Sequence, residues 1–253
     1  MHFETFALGD SFIHRIDPRI RFVCALLLVF TLALIQNFWL AAAGLFLGAI
    51  LTIMAALPMF KVVGRLAALN GFMLIVWVLL PFSVPGEVLF RLGPFVATRQ
   101  GFCLTLLITV KSNAIILTSL ALVCTMRVIT LARVLEALHF PGKICQILFF
   151  SLRYFQVIHS EYHRLYEAIT ARAFSPHTNL HTFKTYGYLI SMLLVRSLNR
   201  GQRVYEAMLC RGYSGHFPAL RQFQIKHSDI VVLFFGTALT IAFWALEFYC
   251  KGQ

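Results

Sequence analysis

Few residues in this sequence are placed to do chemistry. His159 and His163 stand four apart, as do His177 and His181, a spacing that on a helix puts two imidazoles on one face, where they could ligate a divalent metal. Neither pair has the His-Glu-x-x-His order of a zinc protease, because Glu161 follows His159 by two residues and not one. Both pairs therefore read as surface or interface histidines, and no metal site is assigned. Gly142-Lys143 is followed by Ile144 and lacks the upstream glycine of a phosphate-cradling loop, so ATP is not bound through such a loop here. The acids are scattered and no nucleophile has a base at motif spacing, which leaves no catalytic constellation. Lys111 lies inside an apolar run. An ionisable residue at membrane depth is a functional candidate, although its stem can also snorkel or its head face the interior of a bundle.

Two arginines remain, and they are duplicated. Residues 166–176 read YEAITARAFSP and residues 205–215 read YEAMLCRGYSG, so that Tyr, Glu, Ala, Arg and Ser coincide. Each copy places an arginine in the last turn of a helical pattern, Arg172 before Ala173-Phe174 and Arg211 before Gly212-Tyr213. A cation near a helix C-terminus complements the macrodipole, Gly212 suits the position after the cap, and Pro176 stops the chain. That accounts for an arginine at each end but not for a match along eleven positions. Two copies of one docking element suit a partner with two equivalent sites, such as a symmetric or pseudo-symmetric dimer.

The elements that carry these arginines are long and amphipathic. From about Ile144 to Ala173, Ile147, Tyr154, Ile158, Tyr162, Leu165 and Ile169 recur at helical steps, with Arg153, Gln156, Ser160, Arg164 and Glu167 mostly off that stripe. A second helix is expected from about Lys184 to Cys210, with Arg196, Arg200 and Arg203 along one side.

The rest of the chain is built for lipid. Apolar residues make up 59% of it, charged residues 13%, and mean hydropathy is +0.79, whereas a soluble domain carries about a quarter charged residues. Phe22–Phe60 has no charge and is long enough for two spans, with the break near Gln36-Asn37. Gly44 and Gly48 in the second of these allow close helix packing. Further spans are expected at Leu66–Phe82, Gly101–Met126 and Ile230–Leu246, with Asp229 as N-cap of the last. Five spans result, and a sixth, partly buried helix near Ile144–Ile158 is an option. The net charge of +12 fits anionic headgroups and a positive-inside bias better than nucleic acid. With the N-terminus cytoplasmic, Arg15, Arg19, Arg21, Lys61, Arg65 and the thirteen basic residues of 127–226 fall inside, leaving only Arg91, Arg99 and Lys251 outside. The six cysteines show no Cys-x-x-Cys spacing and read as reduced, packed thiols, and the first twenty residues lack the pattern of a removable signal. The expected architecture is all-α: membrane helices in 1–126, a basic helical segment in 127–228, and a last span in 229–253.

With the residues laid out, the chain resembles the T component of energy-coupling-factor transporters, the membrane scaffold of a class of ATP-binding-cassette importers. In that family two cytoplasmic coupling helices each end in an Ala-Arg-Gly motif that docks one of two ATPase subunits. The corresponding triplets are Ala171-Arg172-Ala173 and Cys210-Arg211-Gly212. Gly9-Asp10-Ser11, His14-Arg15, Asp17-Pro18-Arg19, Ser151-Leu152-Arg153-Tyr154 and Ala207-Met208 extend the resemblance over nearly the whole chain. Ala173 and Cys210 depart from the motif while keeping small size and the arginine; alanine in a left-handed position after the helix weakens the first cap. The resemblance implies two ABC ATPase subunits and a substrate-binding integral membrane subunit as partners, ATP bound by the partners with no cofactor in this chain, and no catalysis by the chain itself. It also implies a place in the inner (cytoplasmic) membrane, with the N-terminus and the 127–228 coupling domain cytoplasmic. The run Arg211–Pro218 is most similar to the cobalt/nickel branch; the same role for a vitamin-type substrate, or shared among several partners, is the alternative.

Overall fold

A computed structural model describes residues 11, 16–85, 87–92, 95–138, 140–215 and 227–251. Gly9, Asp10, His14, Arg15 and residues 216–218, which contribute to the resemblance, lie outside the described residues. The chain divides into two compact units, Met1–Val134 with Phe223–Gln253, and Leu135–Gln222.

The first unit is a bundle of apolar helices. Helix α1 (Pro18–Leu34) starts where the Asp17 carboxylate accepts the Arg19 backbone N–H at 2.9 Å and Pro18 takes the first turn, a position where its missing N–H costs nothing. It ends before Gln36-Asn37, as the polar pair predicts, and Asn37 caps α2 (Phe38–Met54) by accepting from the Trp39 N–H at 3.1 Å. Helix α3 (Met59–Ser83) begins after Pro58 and ends at Val84-Pro85. Thr98 caps α4 (Arg99–Leu122), accepting the Gly101 N–H at 3.2 Å. After the short α5 (Val128–Ala137) and the second unit, α8 (His227–Lys251) completes the bundle.

Of these, α3, α4 and residues Asp229–Tyr249 of α8 are each long and apolar enough to cross a membrane. With 17 residues each, α1 and α2 reach about 26 Å, slightly less than a hydrocarbon core of about 30 Å. Apolar helices gain little from burying one another in lipid, so packing contacts hold such bundles. The glycines show this directly. A Cβ on Gly44 would collide with Leu32 Cδ2 of α1, and one on Gly48 would stand 3.1 Å from Leu117 Cβ and 3.2 Å from the Ala114 carbonyl of α4. The two glycines therefore seat α2 against two different neighbours. Facing Gly48, Ala114 and Thr118 of α4 are fully buried. Thr105, Thr109 and Thr118 hydroxyls each donate to the carbonyl four residues back at 2.7–2.8 Å, so the helix itself satisfies them.

Several expectations are corrected. Asp229 sits in the first turn of α8 and not at its N-cap, and its carboxylate accepts the Asp17 N–H at 3.1 Å. Arg21, counted in the sequence among the charges on the cytoplasmic side, is only 3% exposed. Its guanidinium donates to the Leu122 carbonyl, Nη2 at 3.0 Å and Nε at 3.3 Å, and also to Thr125 Oγ1. It thereby supplies a cation and donors to the C-terminal end of α4, where helical carbonyls lack intrahelical partners. Lys111 interacts electrostatically with Glu247 of α8, whose carboxylate also accepts the Gln36 N–H at 3.1 Å. A short antiparallel pair, β1 (Val88–Leu92) and β2 (Phe95–Thr98), joins α3 to α4; hydropathy dominated by long spans leaves no mark of it.

Candidate functional site

The second unit consists mainly of α6 (Gly142–Thr170) and α7 (Leu180–Cys210), 29 and 31 residues long. The region Ile144–Ile158 is no separate span; it is the first half of one continuous α6. The two helices are antiparallel. Near the turn between them Phe174 packs edge-on against Tyr186, ring centroids 5.9 Å apart. At the far end the Gln146 amide donates to the Gly215 carbonyl at 2.7 Å, and the Tyr213 hydroxyl donates to Gln146 Oε1 at 3.1 Å.

Between them lies an open groove of about 370 Å³, lined by Tyr154, Val157, Leu193, Val204 and Met208 among others. At its side Glu161 meets three arginines. Arg196 of α7 donates to Oε1, while Arg200 of α7 and Arg164 of α6 approach Oε2 at 3.9 and 3.8 Å. The Arg196 hydrogen bond, aided by the other two cations, outweighs partial burial and holds the Glu161 carboxyl below its ordinary range. The sequence gives no sign of this hub: Glu161 belongs to the inward face of α6, whereas Ile147, assigned to the buried stripe, is 67% exposed. Arg196 and Arg200, but not the exposed Arg203, turn inward to Glu161.

The duplicated ends fold alike. At the end of α6, Ala173 N–H donates to the Thr170 carbonyl at 3.0 Å and Phe174 N–H to the Ile169 carbonyl at 3.3 Å. At the end of α7, Gly212 N–H donates to Leu209 at 3.0 Å and Tyr213 N–H to Met208 at 3.1 Å. Ala173 and Gly212 both take left-handed conformations, with φ of 61° and 78°. This is the Schellman arrangement in both copies, with Arg172 and Arg211 as the cap residues. Ala171, Arg172, Ala173, Cys210, Arg211 and Gly212 are all exposed. The triplets are not brought together. With Phe174 packed on Tyr186, the stretch of α7 from Tyr186 to Arg211 separates the two arginines by about 40 Å at 1.5 Å per residue. The repeat is a repeat of the caps and not of the helix faces, since Tyr166 is partly buried while its counterpart Tyr205 is exposed.

His159 and His163 stand together on α6 with Nε2 atoms 3.2 Å apart. His177 precedes α7, which holds His181, so the second pair does not share a helix. No group of three or more His, Cys, Asp or Glu is placed to hold a metal among the described residues.

The family described as cobalt transport protein, CbiQ, matches residues 9–222. Among similar proteins, the energy-coupling factor transporter transmembrane protein EcfT of Ruminiclostridium cellulolyticum is 21% identical over 248 residues, 94% of this chain and 93% of that one. The protein of the same name from Heliobacterium modesticaldum is 24% identical over 252 residues, 93% and 94% of the two chains. That from Leuconostoc gelidum is 26% identical over 269 aligned positions, 98% and 97% of the two. With the match running through the membrane helices and both capped arginines, the chain belongs to the CbiQ family and is a non-catalytic transmembrane component of an energy-coupling factor transporter.

Proposed function

We propose that this chain is the mechanical coupler of an ATP-driven importer for cobalt or nickel ions. In this reading Arg172 and Arg211, with Ala171, Ala173, Cys210 and Gly212 around them, each dock one of two ABC ATPase subunits. The observation that carries it is the pair of exposed arginines on identical caps at opposite ends of an antiparallel helix pair. An exposed cation at a helix terminus is fixed in direction by the cap, and two of them about 40 Å apart suit two equivalent grooves better than one. ATP is bound by the partners. Closure of the ATPase pair moves the two helix ends, and the pair, tied across by Glu161 and its arginines, passes that motion to a substrate-binding membrane subunit. Nucleotide supplies the differential free energy between two states. The N-terminus and 127–228 face the cytoplasm in the inner membrane, in keeping with the basic excess of that segment.

Charge reversal tests the docking. In Arg172→Glu/Arg211→Glu, the ATPase subunits should no longer co-purify and uptake should fall to background. Unchanged ATPase activity and uptake would leave the two arginines as helix caps only.

For the cargo, the support is the cobalt transport description of the matching family. The names of the similar proteins specify no metal, which favours, as second reading, the same role for a vitamin-type substrate or for several exchangeable partners. Mass spectrometry of the membrane subunit that co-purifies, with uptake of radiolabelled cobalt or nickel, separates the two.

A further inference from the structure

His159 and His163 lie one turn apart on the exposed side of α6, with Nε2 atoms 3.2 Å from each other. The rings meet at 89°, centroids 4.6 Å apart. They are also braced, His159 stacking on Phe155 at 6.4 Å and His163 set edge-on to Tyr162 at 5.7 Å. Two ring nitrogens this close share either a proton or a metal ion. For bonds of about 2.05 Å to one ion, nitrogen–nitrogen separation is about 2.9 Å at a right angle and about 3.3 Å at the tetrahedral angle. The observed 3.2 Å falls inside that interval.

We propose that His159 and His163 form a two-imidazole site for a first-row divalent transition ion such as Ni²⁺, Co²⁺ or Zn²⁺. Imidazole nitrogen selects these ions over the oxygen-seeking Mg²⁺ and Ca²⁺. With no third protein ligand among the described residues, the site is open, its remaining positions filled by water or by a ligand from outside the chain. Binding takes the place of the proton that the two Nε2 atoms share, and the ring that gives it up carries its one proton on Nδ1 instead, so two neutral imidazoles take the ion with no net proton release. The ion bridges positions four apart and therefore staples one turn of the helix that ends in Arg172. The proposal concerns metal binding alone and stands or falls independently of ATPase docking.

The test uses the full-length chain in detergent, purified without a polyhistidine tag and titrated with Ni²⁺ alone against a chromophoric competitor. Wild type should bind one ion that is weakened at least about tenfold in His159→Asn and in His163→Asn, since even outer-shell changes cost a metal site that much. His177→Asn/His181→Asn should leave this ion in place. Electron paramagnetic resonance with Cu²⁺ as probe should show two imidazole nitrogens in wild type and fewer in each single variant. Both side chains are exposed, so the variants should unfold at the metal-free wild-type temperature. Absence of metal binding in wild type, or wild-type affinity in either single variant, overturns the site and leaves a shared-proton hydrogen bond.

Discussion

Ala173 and Gly212 occupy the same step beyond two different helices and take nearly the same left-handed conformation, φ 61° and 78°. Only one of them is the residue that conformation favours. A side chain with a Cβ pays about 1–2 kcal/mol there, whereas glycine is unhindered. Ala173→Gly should therefore stabilise the end of α6 by about 1 kcal/mol, read as slower amide hydrogen exchange at Ala173 and Phe174. Gly212→Val should do the reverse at Tyr213. Equal exchange in parent and variants would mean that the caps are held by something other than their own backbone.

Glu161 ties α6 to α7 through Arg196 and Arg200, and its carboxyl is held below the ordinary glutamate range, chiefly by the Arg196 hydrogen bond. A depressed carboxyl contributes stability above the unfolded pKa, about 4.3, and loses it as pH falls through the lowered folded value. The helix pair should thus be insensitive to pH through neutrality and loosen only in acid below about pH 4.3. Glu161→Gln should abolish that acid step and widen the distance distribution between spin labels placed on exposed Ser160 and Arg203. If the acid step persists in the variant, another group controls the pair.

How much of this is legible in the sequence depends on whether a feature is local. The break at Gln36-Asn37, the extents of α6 and α7, and the equivalence of Arg172 and Arg211 all rest on residues adjacent along the chain. The left-handed Ala173 is legible too, because the matched segment has glycine there. The Glu161 hub is not, since its partners on α7, Arg196 and Arg200, lie 35 and more positions away and meet it only when the helices fold back. The same holds for Arg21, whose acceptor Leu122 is 101 residues distant; a charge near the end of an apolar run looks like one more charge on the cytoplasmic side until its partner is known. Gly44 and Gly48 announce close packing, but nothing in the spacing says that they serve different neighbours.

That division of labour between glycines gives a third prediction. Gly48→Leu should destabilise the bundle by about 1–3 kcal/mol through overpacking, because a Cβ already meets Leu117 and the Ala114 carbonyl at 3.1 and 3.2 Å. Gly64→Leu and Gly71→Leu on α3, where a Cβ has nothing within 4 Å, should be neutral for the isolated chain. Thermal unfolding in detergent orders the three. Comparable losses at all three positions would contradict the packing of α2 on α4.

Arg21 supplies the fourth. Its guanidinium satisfies the Leu122 carbonyl and Thr125 in a place where water does not readily reach. Arg21→Met keeps most of the side-chain volume but removes the donors, so the carbonyl at the end of α4 is left without a partner. The cost should be about 1–3 kcal/mol. Arg21→Lys should recover part of it, because an ammonium can still reach one acceptor but cannot present two nitrogens of a planar fork to the same oxygen. The measurement is the unfolding temperature of the purified chain, with helix content checked at low temperature so that a misassembled bundle is recognised. An Arg21→Met variant as stable as the parent would show that this buried cation contributes no more than the apolar contacts of its stem, and α4 would then need another cap.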